Sequence, residues 1–251
     1  MRSLTFVYLL IGHIFWRYEF GHKLGEGGYG CVHAGTRCED GLKVSFPGHP
    51  RRLPLEIGLT LMANKGPSVP QIIKLLDWQD DPDHYVMVLE RPMPCMSVFN
   101  LVKLRQRLDE KMARHVMWQV IHAANTCCER GIFHRDIKLE NLLVNPDTWE
   151  VKLIDFECGT LMKDSAYMAF NGMLDDLLAG CLTPAVNTSL SSFWTECCQM
   201  IHACLQADPQ RRLILEEMQL HDWLMVLPLD KTPCHGHSVV FCLRSALRLA
   251  G

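Results

Sequence analysis

The hydrophobic pattern divides the chain into an apolar opening run, a stretch of short strand-like segments, and a longer stretch of helical period. Met1 to Trp16 is almost wholly apolar, with Arg2 ahead of Leu4, Phe6, Val7, Leu9, Leu10 and Ile11. The run is shorter than the ~20 residues that a membrane-spanning helix needs, and no small-x-small cleavage pattern follows it. An extra strand or helix packed on the first sheet is therefore expected. Tyr18-Glu19-Phe20 and Val32-His33-Ala34 suit strands on either side of a glycine-rich stretch. Leu142-Leu143-Val144 and Val151-Lys152-Leu153-Ile154 flank the turn residues Asn145-Pro146-Asp147, which predicts a hairpin. Met112, Ala113, Val116, Met117, Val120, Ile121 and Ala124 form a helical stripe that stops at Gly131. Phe193 to Gln206 repeats that pattern before Asp208-Pro209-Gln210-Arg211-Arg212, and Trp223-Leu224 ends a further helix. Residues 225–251 mix Pro, Gly, His and apolar positions and read as a C-terminal tail.

Composition narrows the class. The chain has 251 residues, 48% of them apolar, and its 25 basic and 28 acidic side chains leave a formal charge of −3. High apolar content with small net charge excludes disorder, and a near-neutral balance excludes a general nucleic-acid binder. The twelve cysteines show no paired C-x-x-C framework. Cys127-Cys128 and Cys197-Cys198 are adjacent, which suits buried thiols and a reducing setting, cytoplasmic or nuclear. Cys234-His235-Gly236-His237 has metal-ligating types but no second cluster to complete four ligands. No run of charge, repeat or low-complexity linker marks a second domain or an oligomer.

Chemistry enters with three motifs. Leu24-Gly25-Glu26-Gly27-Gly28-Tyr29-Gly30-Cys31-Val32 reads G-x-G-x-x-G-x-V between two strands. Glycines let a hairpin backbone approach phosphates with amide N–H groups as donors. A dinucleotide fingerprint would open a helix instead. His134-Arg135-Asp136-Ile137-Lys138-Leu139-Glu140-Asn141 matches H-R-D-x-x-x-x-N. In that spacing Asp136 could accept or orient the proton of a substrate hydroxyl, Lys138 would neutralise a transferring phosphoryl group, and Asn141 could bind Mg²⁺. The predicted hairpin returns Asp155, in Asp155-Phe156, beside Asn141, and a carboxylate with an amide oxygen is a hard-oxygen site of the kind Mg²⁺ prefers.

With these motifs the chain resembles a eukaryotic protein kinase. Leu75-Leu76-Asp77-Trp78, the hinge Leu89-Glu90-Arg91-Pro92-Met93-Pro94, Val151 to Phe156 and Leu161-Met162-Lys163-Asp164 narrow the resemblance to the Pim family of serine/threonine kinases. It runs from Tyr18 to Leu224, with interruptions. It implies an α+β, two-lobed fold, with a small β-rich N-lobe (about 18–90) and a mostly helical C-lobe (about 95–224), both shortened. It implies transfer of the ATP γ-phosphate to protein Ser/Thr hydroxyls, with Mg²⁺ as cofactor and ATP and a protein substrate or docking partner as partners. Gly25, Gly27 and Gly30 would cover the nucleotide. The Glu90 carbonyl would accept from adenine, and Leu24, Val32 and Leu143 would sandwich the ring. His134, Arg135 and Phe156 would be structural.

The sequence departs from that family in ways that bear on activity. The phosphate-binding lysine should close a V-A-I-K strand, but that place reads Val44-Ser45-Phe46-Pro47. Glu56 matches the helix glutamate that should pair with the lysine, yet Val32 and Glu56 leave too few positions for the strands and helix start required. Lys43 is about 13 Å short of Pro47 along an extended strand. Losing this charge should lower rates by orders of magnitude. Asp155-Phe156-Glu157 replaces Asp-Phe-Gly, and glutamate resists backbone geometries open to glycine; a solvent-facing Glu157 is expected. No glutamate stands between Glu157 and Glu196, so the A-P-E motif is missing and Arg212, which resembles its arginine partner, should rearrange or be exposed. Met173 to Gly180 resembles only the latter half of the large central helix. Ser97, Asn100 and Leu139 stand where the family carries acids that favour basic peptides. Two readings follow, a kinase or a pseudokinase that binds nucleotide or partners. The missing blocks are compact, as in segment loss.

Overall fold

The computed structural model describes residues 14–27, 30–38, 54–81, 84–162, 192–204, 206, 208–225 and 238–245. In chain order the elements are α1 (Ile14–Arg17), β1 (Tyr18–Gly27), β2 (Gly30–Arg37), α2 (Leu55–Ala63), β3 (Leu75–Asp80), β4 (His84–Arg91), β5 (Met96–Ser97), α3 (Val98–Arg105) and α4 (Glu110–Glu129). They continue with β6 (Ile132–Phe133), β7 (Leu142–Val144), β8 (Val151–Leu153), β9 (Thr160–Leu161), α5 (Ser192–Cys204), α6 (Leu215–Gln219), α7 (Asp222–Met225) and β10 (Ser238–Ser245). Residues 1–61, 74–93 and 235–251 form one unit, and residues 62–73 and 94–234 a second.

The first unit is built on a five-stranded antiparallel sheet in the order β1-β2-β10-β4-β3. Its β4 segment Tyr85-Val86-Met87-Val88 is buried on both faces, which is why its apolar run is continuous. Tyr85 and Met87 pack with Ile57 of α2, while Val86 and Val88 pack with Ile14 and Tyr18. Pro54 precedes α2 and accepts from the Gly58 N–H at 3.0 Å, and proline is favoured at a helix start because it has no N–H to leave unpaired. Ile14 of α1, at the end of the apolar opening run, is fully buried. Residues 1–13 lie outside the described residues, as do Lys43 and the Val44–Pro47 stretch.

Within the segment 225–251, which the sequence reads as a tail, β10 sits in the middle of the first unit's sheet, antiparallel to both β2 and β4. Val239-Val240-Phe241-Cys242-Leu243 is a short unbroken apolar run between Ser238 and Arg244, a pattern consistent with an interior strand.

In the second unit α4 follows its stripe. Asp109 caps it by accepting from Met112 N at 2.8 Å, and Gly131 takes the left-handed turn (φ +73°) after its end. Val116, Val120 and Ile121 are fully buried, each side chain contributing about 1.5–3 kcal/mol. Gln119 fastens α4 to the β7–β8 hairpin, accepting from Val151 N at 2.9 Å and donating to Trp149 O at 2.7 Å. The hairpin itself pairs Leu142 with Leu153 and Val144 with Val151, as the turn residues predict. Met173–Gly180 and Cys234–His237 lie outside the described residues.

Candidate functional site

The H-R-D-x-x-x-x-N segment is held by polar contacts to the hairpin that follows it. His134 is buried and lies 3.0 Å through Nε2 from Ile154 O, while its Nδ1 accepts from Asp136 N at 3.3 Å. That pattern suits a neutral imidazole with its proton on Nε2. Burial lowers the His134 pKa, and the carboxylates of Asp155 and Asp136 only partly oppose this. Its ring meets Phe156, 1% exposed, at a centroid distance of 4.8 Å. Arg135 Nε donates to Cys158 O at 2.7 Å. Arg135 and Asp155 both adopt left-handed backbone, with φ of 63° and 67°, conformations that persist only when surrounding contacts enforce them.

Asp136 is the centre of the cluster. Its Oδ2 accepts from Lys138 Nζ at 2.8 Å and from Asn141 Nδ2 at 2.9 Å, and Asn141 Nδ2 also reaches the Asp136 carbonyl at 2.9 Å. These contacts orient the carboxylate, which stays 27% exposed. The hydrogen bond from Lys138, more than any other cause, raises the Lys138 pKa. Ile154 N donates to Asn141 O at 3.0 Å, which brings Asp155 next to the asparagine. Asn141 uses its amide N–H on Asp136, so its oxygen and the Asp155 carboxylate are two hard donors in adjacent backbone. Among the described residues no group of three or more His, Cys, Asp or Glu side chains forms a metal cluster. Two oxygen donors nevertheless suit Mg²⁺, which takes one or two protein ligands with substrate phosphates and water.

Glu157 departs from the expected exposure. It is half-buried, and its N–H donates to Asp155 Oδ1 at 3.4 Å. Glutamate is tolerated there because the left-handed residue of the segment is Asp155 and not Glu157. Arg212 is half-buried and donates through Nε to Gln206 O at 2.6 Å, an arrangement that gives its guanidinium a backbone acceptor. The residues that would hold an A-P-E motif lie outside the described residues. Ser97 caps α3 by accepting from Asn100 N at 3.2 Å, and Leu139 is buried, so local packing occupies two positions where the family carries acids.

The residues that the family resemblance implies for nucleotide binding are described unit by unit. Gly25 pairs with Val32 and Gly27 with Gly30 across the β1–β2 hairpin, giving the expected strand–loop–strand. Leu24 is 41% exposed, while Val32 packs against the cluster of Ile57, Tyr85 and Met87. Glu90 N donates to Lys74 O and its carboxylate accepts from Lys74 N, both at 2.9 Å. Beyond it β4 stops at Arg91, since Pro92 has no N–H to continue a ladder. Leu143 is a half-buried residue of β7 in the second unit. Sequence reasoning missed the partner that Glu56 has here. The Tyr85 hydroxyl donates to Glu56 Oε2 at 2.7 Å within the buried first unit, and only β4 and α2 packing together reveals it.

Residues 18–175 match the protein kinase domain family. The chain belongs to that family. Its architecture is accordingly the α+β, two-lobed kinase fold in shortened form. It is 32% identical over 271 residues to serine/threonine-protein kinase pim-2 of Danio rerio, covering 85% of this chain and 86% of that one. It is 32% identical to serine/threonine-protein kinase prk-2 of Caenorhabditis elegans over 62% of this chain and 37% of the relative. With NUAK family SNF1-like kinase 1 of Homo sapiens it shares 30% identity over 62% of this chain and 24% of that protein. The chain therefore spans most of the fish relative and well under half of the other two. Family and relatives make this a serine/threonine protein kinase-like chain, and they do not favour the pseudokinase reading. No helix among the described residues is long and apolar enough to cross a membrane.

Proposed function

We propose that this chain is a Pim-like serine/threonine protein kinase that transfers the γ-phosphoryl group of ATP to a protein hydroxyl. The observation that carries the reading is Asp136, whose Oδ2 is held by Lys138 and Asn141 while the carboxylate stays partly open to solvent. Its Oδ1 takes the proton of the attacking hydroxyl. The hydroxyl oxygen forms its bond to the γ-phosphorus as the bridging oxygen of ADP leaves. Lys138 offsets charge on the moving phosphoryl group in this reading, which its hydrogen bond to Asp136 supports. Asn141 and Asp155 would hold Mg²⁺, which supplies further neutralisation of the phosphates when bound. Leu24, Gly25, Gly27, Gly30, Val32, Glu90 and Leu143 are the nucleotide-binding set, with His134, Arg135 and Phe156 holding the loop and Glu56 and Arg212 structural. Membership of the Pim family rests on the fish relative and on Pro92 and Pro94 in the hinge.

The experiment is phosphotransfer from γ-labelled Mg-ATP to a Ser/Thr-containing protein mixture, using the full chain and Asp136→Asn. Loss of an oriented base should reduce transfer by at least about a hundredfold. Transfer by the unsubstituted chain no higher than by the variant refutes the enzyme reading. A nucleotide-dependent rise in melting temperature without transfer would instead favour a binding module.

A further inference from the structure

The second unit carries an exposed helix face whose charge is opposite to that of the chain as a whole. From Pro94 to Leu108 there is no Asp or Glu, while Lys103, Arg105 and Arg107 follow at alternate positions, in a chain of net charge −3. Within this stretch α3 is apolar on two sides. Val98 and Leu101 are buried, whereas Phe99 and Leu104 are 43% and 72% exposed. Phe99 and Lys103 stand four positions apart, as do Asn100 and Leu104, so these exposed side chains share one outer face. Arg105 lies 4.9 Å over the Trp149 ring, and its Nη1 lies 3.8 Å from Met112 Sδ. Neither partner carries a negative charge, so the exposed guanidinium is held in place with its charge unspent. Among the described residues Lys103 and Arg107 form no ion pair. The acids that follow are already engaged, since Asp109 accepts from Met112 N and Glu110 from Arg114 and Trp223 Nε1. This face adjoins the Asp136 cluster. Both β5 and α3 pack on the 3-10 turn Leu139–Asn141, whose Asn141 donates to Asp136.

We propose that the outer face of α3 docks the segment of the protein substrate that flanks the acceptor hydroxyl, and that this segment is acidic with interspersed apolar side chains. The link to phosphotransfer rests on the kinase function proposed above, while the docking surface does not. Phe99 and Leu104 receive the apolar side chains, and Lys103, Arg105 and Arg107 the carboxylates. Arg105 offers a planar fork that suits a carboxylate, and its contacts with Trp149 and Met112 reduce the freedom it loses on binding. The eight residues of α3 span about 12 Å, a length that an extended peptide covers in about four residues. A substrate rich in Lys or Arg meets like charge on this face, which selects against it. Glu140, exposed on the adjoining turn, has its own cation in Lys138, with which it interacts. A lipid surface fits less well, because two apolar side chains on so short a helix offer little area to insert.

The test measures binding of two dye-labelled degenerate peptide pools to the full chain by fluorescence anisotropy. One pool draws on Asp, Glu, Leu, Phe, Ala and Gly, and the other has Lys and Arg in place of the acids. Neither contains a hydroxyl side chain, so phosphotransfer plays no part in this arm. The acidic pool should bind about tenfold more tightly or better, an advantage that shrinks with added salt. Lys103→Glu combined with Arg107→Glu should cancel that advantage, and Leu104→Ser should weaken acidic-pool binding several-fold. Melting temperatures should change little, because all three side chains are exposed. Equal binding of the two pools, binding of neither, or acidic-pool binding that survives the charge reversals overturns the docking surface. Binding to phosphatidylserine vesicles instead, lost in the charge-reversed variant, would mark a lipid face and overturn it. A dimer in sedimentation that Leu104→Ser dissolves would mark a self-interface and overturn it too. The same pools with a central Ser, supplied with γ-labelled Mg-ATP, read the link to catalysis. Faster transfer to the acidic pool supports it, and faster transfer to the basic pool overturns it. Acidic-pool binding with no transfer to either removes the kinase function and leaves the docking surface standing.

Discussion

The Tyr85 hydroxyl donates to Glu56 Oε2 at 2.7 Å, joining β4 to α2 through a carboxylate that is almost fully buried. Tyr85→Phe removes the donor and leaves the ring in place. A buried charged acceptor that loses a hydrogen bond costs about 1–3 kcal/mol. Thermal denaturation of the variant should show a fall of several degrees, with little change in far-UV circular dichroism. An unchanged melting temperature would mean that the bond contributes nothing to folding.

Stability should fall on mild acidification because His134 is buried as a neutral ring. Its pKa is lowered from 6.5 by burial, opposed by the Ile154 carbonyl and the Asp155 and Asp136 carboxylates, and aided by Lys138. Below pH 6.5 the unfolded chain binds a proton that the folded chain refuses. Stability therefore declines as pH drops from 6.5 toward the lowered folded value, and is fully present above 6.5. His115, also lowered by burial, acts in the same direction. Melting curves from pH 7.5 to pH 5 should show this slope, and His134→Gln should flatten it. A slope identical in the variant would assign the effect elsewhere.

Ending the chain at Cys234 deletes β10 and leaves β2 and β4 with facing unpaired edges. Such edges recruit other chains. The shortened protein should aggregate, or its β2 and β4 amides should exchange at nearly unfolded rates. Hydrogen exchange read by mass spectrometry decides this, and native-like protection of β2 and β4 without β10 would contradict it.

Gly25 separates binding from folding. A Cβ built there meets no heavy atom of the described residues within 4 Å, so Gly25→Ala has no packing penalty against them. Its melting temperature should match that of the parent within about 1 kcal/mol of stability. Mg-ATP affinity should drop if the backbone at this position approaches phosphate closely. A large loss of stability would show that the glycine serves the hairpin instead.

Much of the site is legible in sequence because it is local. His134 to Asn141 is one loop, Asp155 is returned by a hairpin whose turn residues are explicit, and short chain segments leave few other geometries. The α4 stripe and its stop at Gly131 are equally plain, since 3.6-residue periodicity is a property of a single segment. The half-burial of Glu157 is not legible in sequence, because the general preference of glutamate for solvent says nothing of the local turn. The left-handed backbone belongs to Asp155, where a short polar side chain tolerates it.

The sequence alone therefore determined the elements whose partners are close along the chain, and with them the family, the glycine hairpin and the Asp136 cluster. Tertiary structure alone decided that Ser238–Ser245 enters the sheet beside Gly30 and Tyr85, and that Tyr85 reaches Glu56. Those pairings join residues far apart in sequence, where no local period specifies which edge a strand will find. What selects them is the match of two open backbone edges to one apolar strand. That match is a property of the assembled sheet and of no single segment.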